Sequence, residues 1–249
     1  MALHPLARQF ASVAEAYERG RPDYAPAVVG AIAAELGLAP GDPVLDLGAG
    51  TGKLSRALLA AGLDVIGVEP LETLREVLAE RLGVERALAG LAEEIPRGDG
   101  SAAAVTVADA FHWFDQPAAL AEIRRVLRPG GGLALLSSVP DWRGASWAHE
   151  LGSLIAGARP AHPHFDGPPW QQAVSAAGGW TALREIRVTS SQPAQPERMV
   201  DYLCSLSWVA AMPDERRAEL LAQADALVRA GSTPAELKVH VVVGLASLA

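Results

Sequence analysis

Cysteine is nearly absent: Cys204 is the only one in 249 residues. A single thiol excludes an intramolecular disulfide, and Cys204 is expected to be a small buried hydrophobe on a helix. Lysine is almost as scarce, with Lys53 and Lys238 alone, and no block of basic residues occurs. The formal net charge is −8. An acidic surface repels phosphate backbones, so no nucleic-acid partner is expected. No run of about eighteen uncharged apolar residues exists, so no membrane span is expected. Residues 1–11 carry His4, Pro5 and Arg8 and lack the apolar segment of a secretory leader. These absences suit a cytoplasmic protein, as a monomer or homodimer.

What is present is apolar mass. Half of the residues are hydrophobic and one fifth are charged, enough to bury a large core. Between residues 44 and 138 short apolar runs alternate with amphipathic stretches. Strands are expected at Val44–Leu47, Asp64–Val68, Arg86–Leu91, Ala103–Val107 and Leu133–Ser138. Helices are expected at Gly52–Ala61, Leu71–Leu82 and Gln116–Leu127. Such alternation implies parallel strands with helices on both faces. Ahead of it, Met1–Gly20 and Ala27–Leu38 read as helices parted by the prolines of Arg21-Pro22-Asp23-Tyr24-Ala25-Pro26. After Ser138 the chain is rich in Trp, Pro and Gly up to Trp180. It then gives a strand (Leu183–Thr189), helices at Glu197–Ala210 and Pro213–Gly231, and a last strand (His240–Leu248).

The first strand runs into Asp46-Leu47-Gly48-Ala49-Gly50-Thr51-Gly52 and then a helix. Glycines there permit positive φ and a close approach of ligand to main chain, and the helix start offers free N–H donors. Asp46 can accept from a ligand ammonium or anchor water. Glu69 ends the next strand, where a carboxylate can take both hydroxyls of a ribose and repel a 2′-phosphate. A dinucleotide loop reads G-x-G-x-x-G. Here the third glycine comes one residue early, and Lys53 stands where that motif wants glycine. An acid ahead of the loop favours a zwitterionic amino-acid ligand over a pyrophosphate.

The stretch Val44 to Ser55 resembles motif I of the class I S-adenosylmethionine-dependent methyltransferases. The resemblance continues through Gly67-Val68-Glu69-Pro70, Gly90 to Pro96, Ala108-Asp109-Ala110-Phe111-His112-Trp113-Phe114-Asp115 and Ala121 to Gly131. The Phe-His-Trp-Phe-Asp run and Tyr17-Glu18-Arg19-Gly20-Arg21-Pro22-Asp23-Tyr24 are similar to the small-molecule branch, which holds the methyltransferase type 11 and trans-aconitate methyltransferase-like proteins. The resemblance implies an α/β fold: a Rossmann-like, doubly wound, seven-stranded sheet with a helical cover. It implies one domain over residues 1–249, with lid helices in 1–40, a cofactor-binding core in 41–140 and a substrate cover in 141–249. The implied cofactor is S-adenosyl-L-methionine, with S-adenosyl-L-homocysteine as product.

The resemblance also assigns residues. Asp46, Gly48, Ala49, Gly50 and Gly52 would hold the amino-acid end, with Tyr17 and Arg21 reaching its carboxylate from the lid. Glu69 and Pro70 would flank the ribose. Leu91, Ala92 and Glu93 would flank adenine; Leu91 replaces a polar residue of relatives, so the Ala92 backbone would meet the base. Ala108 and Asp109 would lie by the sulfonium. His112 is the histidine placed near the methyl group, and two roles stay open for it. It braces its loop, with Trp113 and Phe114 in the core, or it is a general base for an acceptor that must lose a proton. The bracing role is favoured, because the histidine belongs to the shared run whatever the substrate. Most of Trp142, Trp147, Trp170, Trp180 and Trp208 are expected in the core. His162-Pro163-His164 with Asp166 is expected to be a surface loop, and no metal is expected.

The expected reaction is methyl transfer to O, N or C of a small-molecule acceptor. Two alternatives remain at this point. One is a protein that binds the same cofactor without transferring methyl, the other a nicotinamide-dependent oxidoreductase. A non-enzymatic scaffold of the same fold is the weakest reading.

Overall fold

The computed structural model describes residues 3–144, 146–230 and 236–249. After a 3-10 turn at Ala7–Ser12 come α1 (Ala14–Gly20), α2 (Pro26–Leu36), β1 (Pro43–Leu47), α3 (Lys53–Ala60), β2 (Asp64–Val68), α4 (Glu72–Leu82), β3 (Ala87–Leu88), β4 (Ala102–Ala108), α5 (Gln116–Val126) and β5 (Leu127–Pro140). The second half adds α6 (Ser146–Ala158), α7 (Pro163–Asp166), α8 (Trp170–Ala177), β6 (Arg184–Pro193), α9 (Pro196–Cys204), α10 (Ser207–Ala210), α11 (Asp214–Ala230) and β7 (Glu236–Ser247).

The strands form one seven-stranded sheet in the order β3-β2-β1-β4-β5-β7-β6. The first five are parallel, and β7 enters antiparallel between β5 and β6. This is the doubly wound α/β sheet expected from the sequence. The order reverses between β1 and β4, which opens a crevice at their carboxyl ends. Strand β4 shows why the middle of the sheet is dry. Six of its seven residues are buried, as a strand covered on both faces requires. Val28 and Ile32 of α2 join Leu54 and Leu58 of α3 on one face. Leu120, Ile123 and Val126 of α5 pack on the other. A third cluster, with Trp147, Leu151, Met199, Leu203, Trp208 and Leu220, holds the cover helices together.

Several boundaries differ from expectation for physical reasons. The expected strand Arg86–Leu91 shrinks to Ala87–Leu88, because Val84–Arg86 close a 3-10 turn and Leu91 pairs with Glu94 in an isolated bridge. The Arg128-Pro129-Gly130 break lies within β5 as a register shift against β4. The expected helix Glu197–Ala210 divides into α9 and α10. Ser205 stands between them, with its Oγ turned back onto the Tyr202 carbonyl at 2.6 Å. The expected helix over residues 1–20 divides at Val13, and residues 1–2, like Gly231 of the last expected helix, lie outside those described. Three helices occupy the Trp-, Pro- and Gly-rich stretch, where no period was legible. Cys204 ends α9 and is only half-buried.

Helix α1 docks on α9 through Gly20. A Cβ there would lie 2.3 Å from the Tyr202 backbone nitrogen, a gap that backbone cannot yield cheaply. Gly20→Ala should therefore cost about 1–3 kcal/mol, read as a lower midpoint in thermal unfolding. An unchanged midpoint would show that α1 is not held in this position.

Candidate active site

The crevice at the ends of β1, β2 and β4 is the floor of a cavity, and α1, α10 and the loop before α2 roof it. The glycine loop forms its near wall. Gly48 and Gly50 have φ of 63° and 57°, a region that costs other residues strain. A Cβ at Gly50 would point into the cavity, with Tyr17 the nearest atom at 4.0 Å.

Glu69 stands at the end of β2 and is 4% exposed. Its Oε2 accepts from Gly50 N and its Oε1 from Leu71 N, both at 2.9 Å. Burial pushes its carboxyl up to about 7 although these N–H donors pull the other way. Each oxygen keeps lone pairs toward the cavity, so the group suits a pair of hydroxyl donors. Asp46 is different. Its Oδ2 accepts from Ser55 at 2.5 Å and its Oδ1 from Thr106 at 2.8 Å. Burial raises it to about 6, and it braces the loop from beneath.

Across the cavity, Arg21 is seated in a socket. Its Nε donates to Ser205 Oγ at 2.8 Å. Its guanidinium lies 5.4 Å from the Tyr17 ring centre and 5.1 Å from that of Tyr202. Among the described residues no carboxylate forms an ion pair with it, so a cation faces the cavity with charge to offer. Asp109, at the end of β4, takes φ of 51°, a strained value for a non-glycine residue. Ser138 N donates to its Oδ1 at 3.0 Å, and Tyr24 OH donates to its Oδ2 at 3.2 Å.

Of the residues singled out in the sequence, Tyr17, Arg21, Gly48, Gly50, Glu69, Pro70, Leu91, Ala92, Glu93, Ala108, Asp109 and His112 line this one cavity. Asp46, Ala49 and Gly52 lie outside its wall. Gly52 backs onto Leu78, where a Cβ would come within 2.6 Å. Trp113 and Phe114 pack against the sheet core and also face the cavity. Of the five cover tryptophans, Trp208 alone lines it.

One expectation is overturned. The His-Pro-His stretch is not a surface loop. His162 is 7% exposed, and His164 Nδ1 lies 3.3 Å from His112 Nδ1. Both line the cavity. The i, i+2 spacing was the available signal, but nothing in the sequence says that the Phe-His-Trp turn lies opposite. Phe10, Tyr202, Leu206 and Ser207 of the wall were also missed, since only the tertiary fold brings them there.

The methyltransferase domain family matches residues 45–135, the stretch that carries Gly48, Gly50, Glu69, Asp109 and His112. An uncharacterized methyltransferase of Mycobacterium tuberculosis is 38% identical over 216 residues, 87% of this chain and 84% of its own. The chain belongs to the class I methyltransferase family. Another uncharacterized methyltransferase, from Schizosaccharomyces pombe, is 29% identical over 90% of this chain and 88% of its own. A structure described as a type II methyltransferase, from Anaeromyxobacter dehalogenans, shares the fold with a TM-score of 0.62 and 22% identity, covering 91% of this chain and 97% of that one. Family membership makes methyl transfer the reaction of this enzyme.

The roof of this cavity is latched by charge. Lys53 begins α3, is 6% exposed and reaches Asp23 at 2.9 Å and Glu18 at 3.9 Å. Arg56 joins Glu18 at 2.8 Å. Arg19 grips both oxygens of Asp201 on α9 at 2.8 and 3.0 Å. Lys53→Met should weaken the latch by about 1–2 kcal/mol, between the exposed and buried cases. Amide exchange across α1 and the following loop should then rise about tenfold or more, with the β4 and β5 amides unchanged. Equal acceleration in both regions would mean that Lys53 supports the whole fold and is no latch.

Proposed function

We propose that this methyltransferase uses S-adenosylmethionine and acts on a small-molecule acceptor. The observation that carries the reading is the placement of buried Glu69, bonded to the glycine loop at Gly50, across one cavity from Arg21. S-adenosylmethionine supplies a methyl group activated by its sulfonium. Glu69 accepts the two ribose hydroxyls, with Pro70 beside it. Arg21, oriented by Ser205 and framed by Tyr17 and Tyr202, meets the methionine carboxylate. The backbone of Gly48 and Gly50 lets that end approach closely. Leu91 and Ala92 take the base, with Glu93 beside them. Asp109, held by Ser138 and Tyr24, puts negative charge near the sulfonium. The chain is one domain in this reading: residues 1–40 close over the cofactor, 41–140 bind it, and 141–249 enclose the acceptor. Asp46, Ala49 and Gly52 shape the loop from behind.

Catalysis then rests mostly on alignment. The leaving group is already activated, so holding the acceptor in line with the methyl group supplies most of the acceleration. The apolar wall of Phe10, Trp113, Leu206 and Trp208 excludes water and fits a small apolar or aromatic acceptor. No helix among the described residues is long and apolar enough to cross a membrane.

The carboxyl of Glu69 gives this reading a pH signature. Hydroxyl donors favour its ionised form, so its bound pKa must fall below the value near 7 of the free protein. Binding then releases a proton, and affinity is lost as pH falls through about 7. By calorimetry, S-adenosylhomocysteine should bind about tenfold more weakly at pH 6 than at pH 8. Glu69→Gln should lose about 1–3 kcal/mol of binding at pH 8 and most of the pH dependence. Wild-type affinity in the variant would remove Glu69 from the ribose, and no binding to folded wild type would sink the cofactor assignment.

A further inference from the structure

The histidines of the cavity come from two unrelated parts of the chain. His112 sits in the 3-10 turn Phe111–Trp113 that follows β4, and His164 in α7 of the cover. Their Nδ1 atoms face each other at 3.3 Å. Two bare nitrogens in that position would repel, so one must carry a proton and donate to the other. The two rings are therefore tautomerically complementary. His162 fixes the geometry from behind. Its Nδ1 accepts from His164 N at 3.2 Å, its own N donates to Asp166 Oδ2 at 2.6 Å, and its Nε2 lies 3.3 Å from Ser207 Oγ. Accepting at Nδ1 leaves Nε2 to carry the proton, which makes His162 a neutral brace.

We infer that His112 and His164 form one proton-accepting unit, and that the acceptor is an aromatic hydroxyl that loses its proton as the methyl group arrives. This rests on the cofactor reading above. The acceptor oxygen bonds to the methyl carbon, and the carbon–sulfur bond breaks with its electron pair left on sulfur. The hydroxyl proton passes to the free ring nitrogen of His112, and the Nδ1 proton of His112 passes to His164. One positive charge is conserved, and it moves from sulfur to the histidine pair.

The surroundings set where that proton rests. His112 is held down to about 2 by burial first, then by His164, His162, Arg21 and His4. His164 is lowered by burial and by Arg21 and Arg159, but Asp109 pulls it upward. Burial and the neighbouring cations thus favour the neutral form of both rings, and of the two it is His164 that Asp109 pulls toward protonation. A neutral pair beside a cationic donor avoids like-charge repulsion, and it can accept a proton as that charge disappears. The wall supplies the shape of the acceptor. Phe10 and Trp113 stand edge to face at 6.1 Å, Trp208 and Leu206 complete an apolar slot, and a flat ring stacks well on such surfaces.

The test uses the full chain in two measurements. Histidine-labelled protein with S-adenosylhomocysteine is followed by long-range proton–nitrogen NMR from pH 8 to 5. One Nδ1 of the pair should be protonated and the other not at pH 8, with a single proton taken up by both rings together on acidification. Independent titration of the two rings would overturn the unit. Methyl transfer from radiolabelled S-adenosylmethionine to 1-naphthol and catechol is then compared with transfer to benzoate and benzylamine. The hydroxyl compounds should be preferred. His164→Asn, which keeps a hydrogen-bonding group but accepts no proton, should lower kcat about 10²-fold. It should also erase the acidic limb of the pH profile while S-adenosylhomocysteine affinity stays within twofold. Wild-type kcat and pH profile in that variant, or transfer to benzoate or benzylamine alone or to none of the four, would overturn the inference. A failure of S-adenosylhomocysteine to bind would instead indict the cofactor reading, and the NMR spectra of the ligand-free protein would still decide whether the pair shares one proton.

Discussion

The whole site hangs on a carboxylate that is expensive to bury. Glu69 is desolvated at the end of β2, and an unpaired charge there would cost several kcal/mol. The cost is offset by two backbone N–H donors, Gly50 from the glycine loop and Leu71 from the start of α4. The Gly50 bond ties the end of β1 to the end of β2, and the Leu71 bond closes the turn from β2 into α4. Asp46 repeats the device one layer down, with Ser55 and Thr106 as its donors. The upper acid faces the cavity and the lower one does not. Their depth, more than their chemistry, separates a ligand contact from a brace.

The roof is built on another principle. It combines contacts between polar groups with one close backbone approach, so it is tight in geometry but shallow in energy. Arg21 bonds to Ser205, Lys53 to Asp23, and Arg19 to Asp201. The exposed Arg19 pair contributes about 1 kcal/mol or less, and the buried Lys53 pair about 1–2 kcal/mol. The break between α9 and α10 serves the same roof. Ser205 caps the end of α9 and presents both its hydroxyl and its carbonyl to the guanidinium, and the chain turns out of the helical path at Leu206.

This division explains what was legible in the sequence. The parallel core could be read because its signals are local: apolar runs such as Ala102–Ala108, glycines at the β1–α3 turn, and acids at the ends of β1, β2 and β4. Twelve of the fifteen residues singled out line one cavity. Asp46 was misjudged in orientation, because a strand-end acid can face up or down and only the neighbouring Thr106 on β4 decides. The strand Arg86–Leu91 was read too long, since an edge strand pairs on one side only and ends where its neighbour does. The His-Pro-His stretch looked exposed because proline and histidine are common in loops. Its burial depends on a contact between residues 112 and 164, and no local pattern encodes a pairing across fifty residues.

The same contact joins the parallel core to the cover, and in the proposed mechanism it joins them in function. The parallel core supplies His112, and the cover supplies His162 and His164. Arg21 comes from the roof, so the cavity already holds one cation whose attraction is spread over Tyr17, Tyr202 and a hydroxyl. A second cation is tolerable there only beside Asp109, the one wall carboxylate that two neutral donors hold at the end of β4. A third is opposed by burial and by every neighbouring base. An enzyme that handles a positively charged methyl donor in such a space must keep its own bases neutral until the charge is spent. Packing imidazoles against one another favours their neutral form, with Asp109 as the carboxylate that pulls His164 the other way, and in the proposed mechanism it makes the cover part of the chemistry as well as its lid.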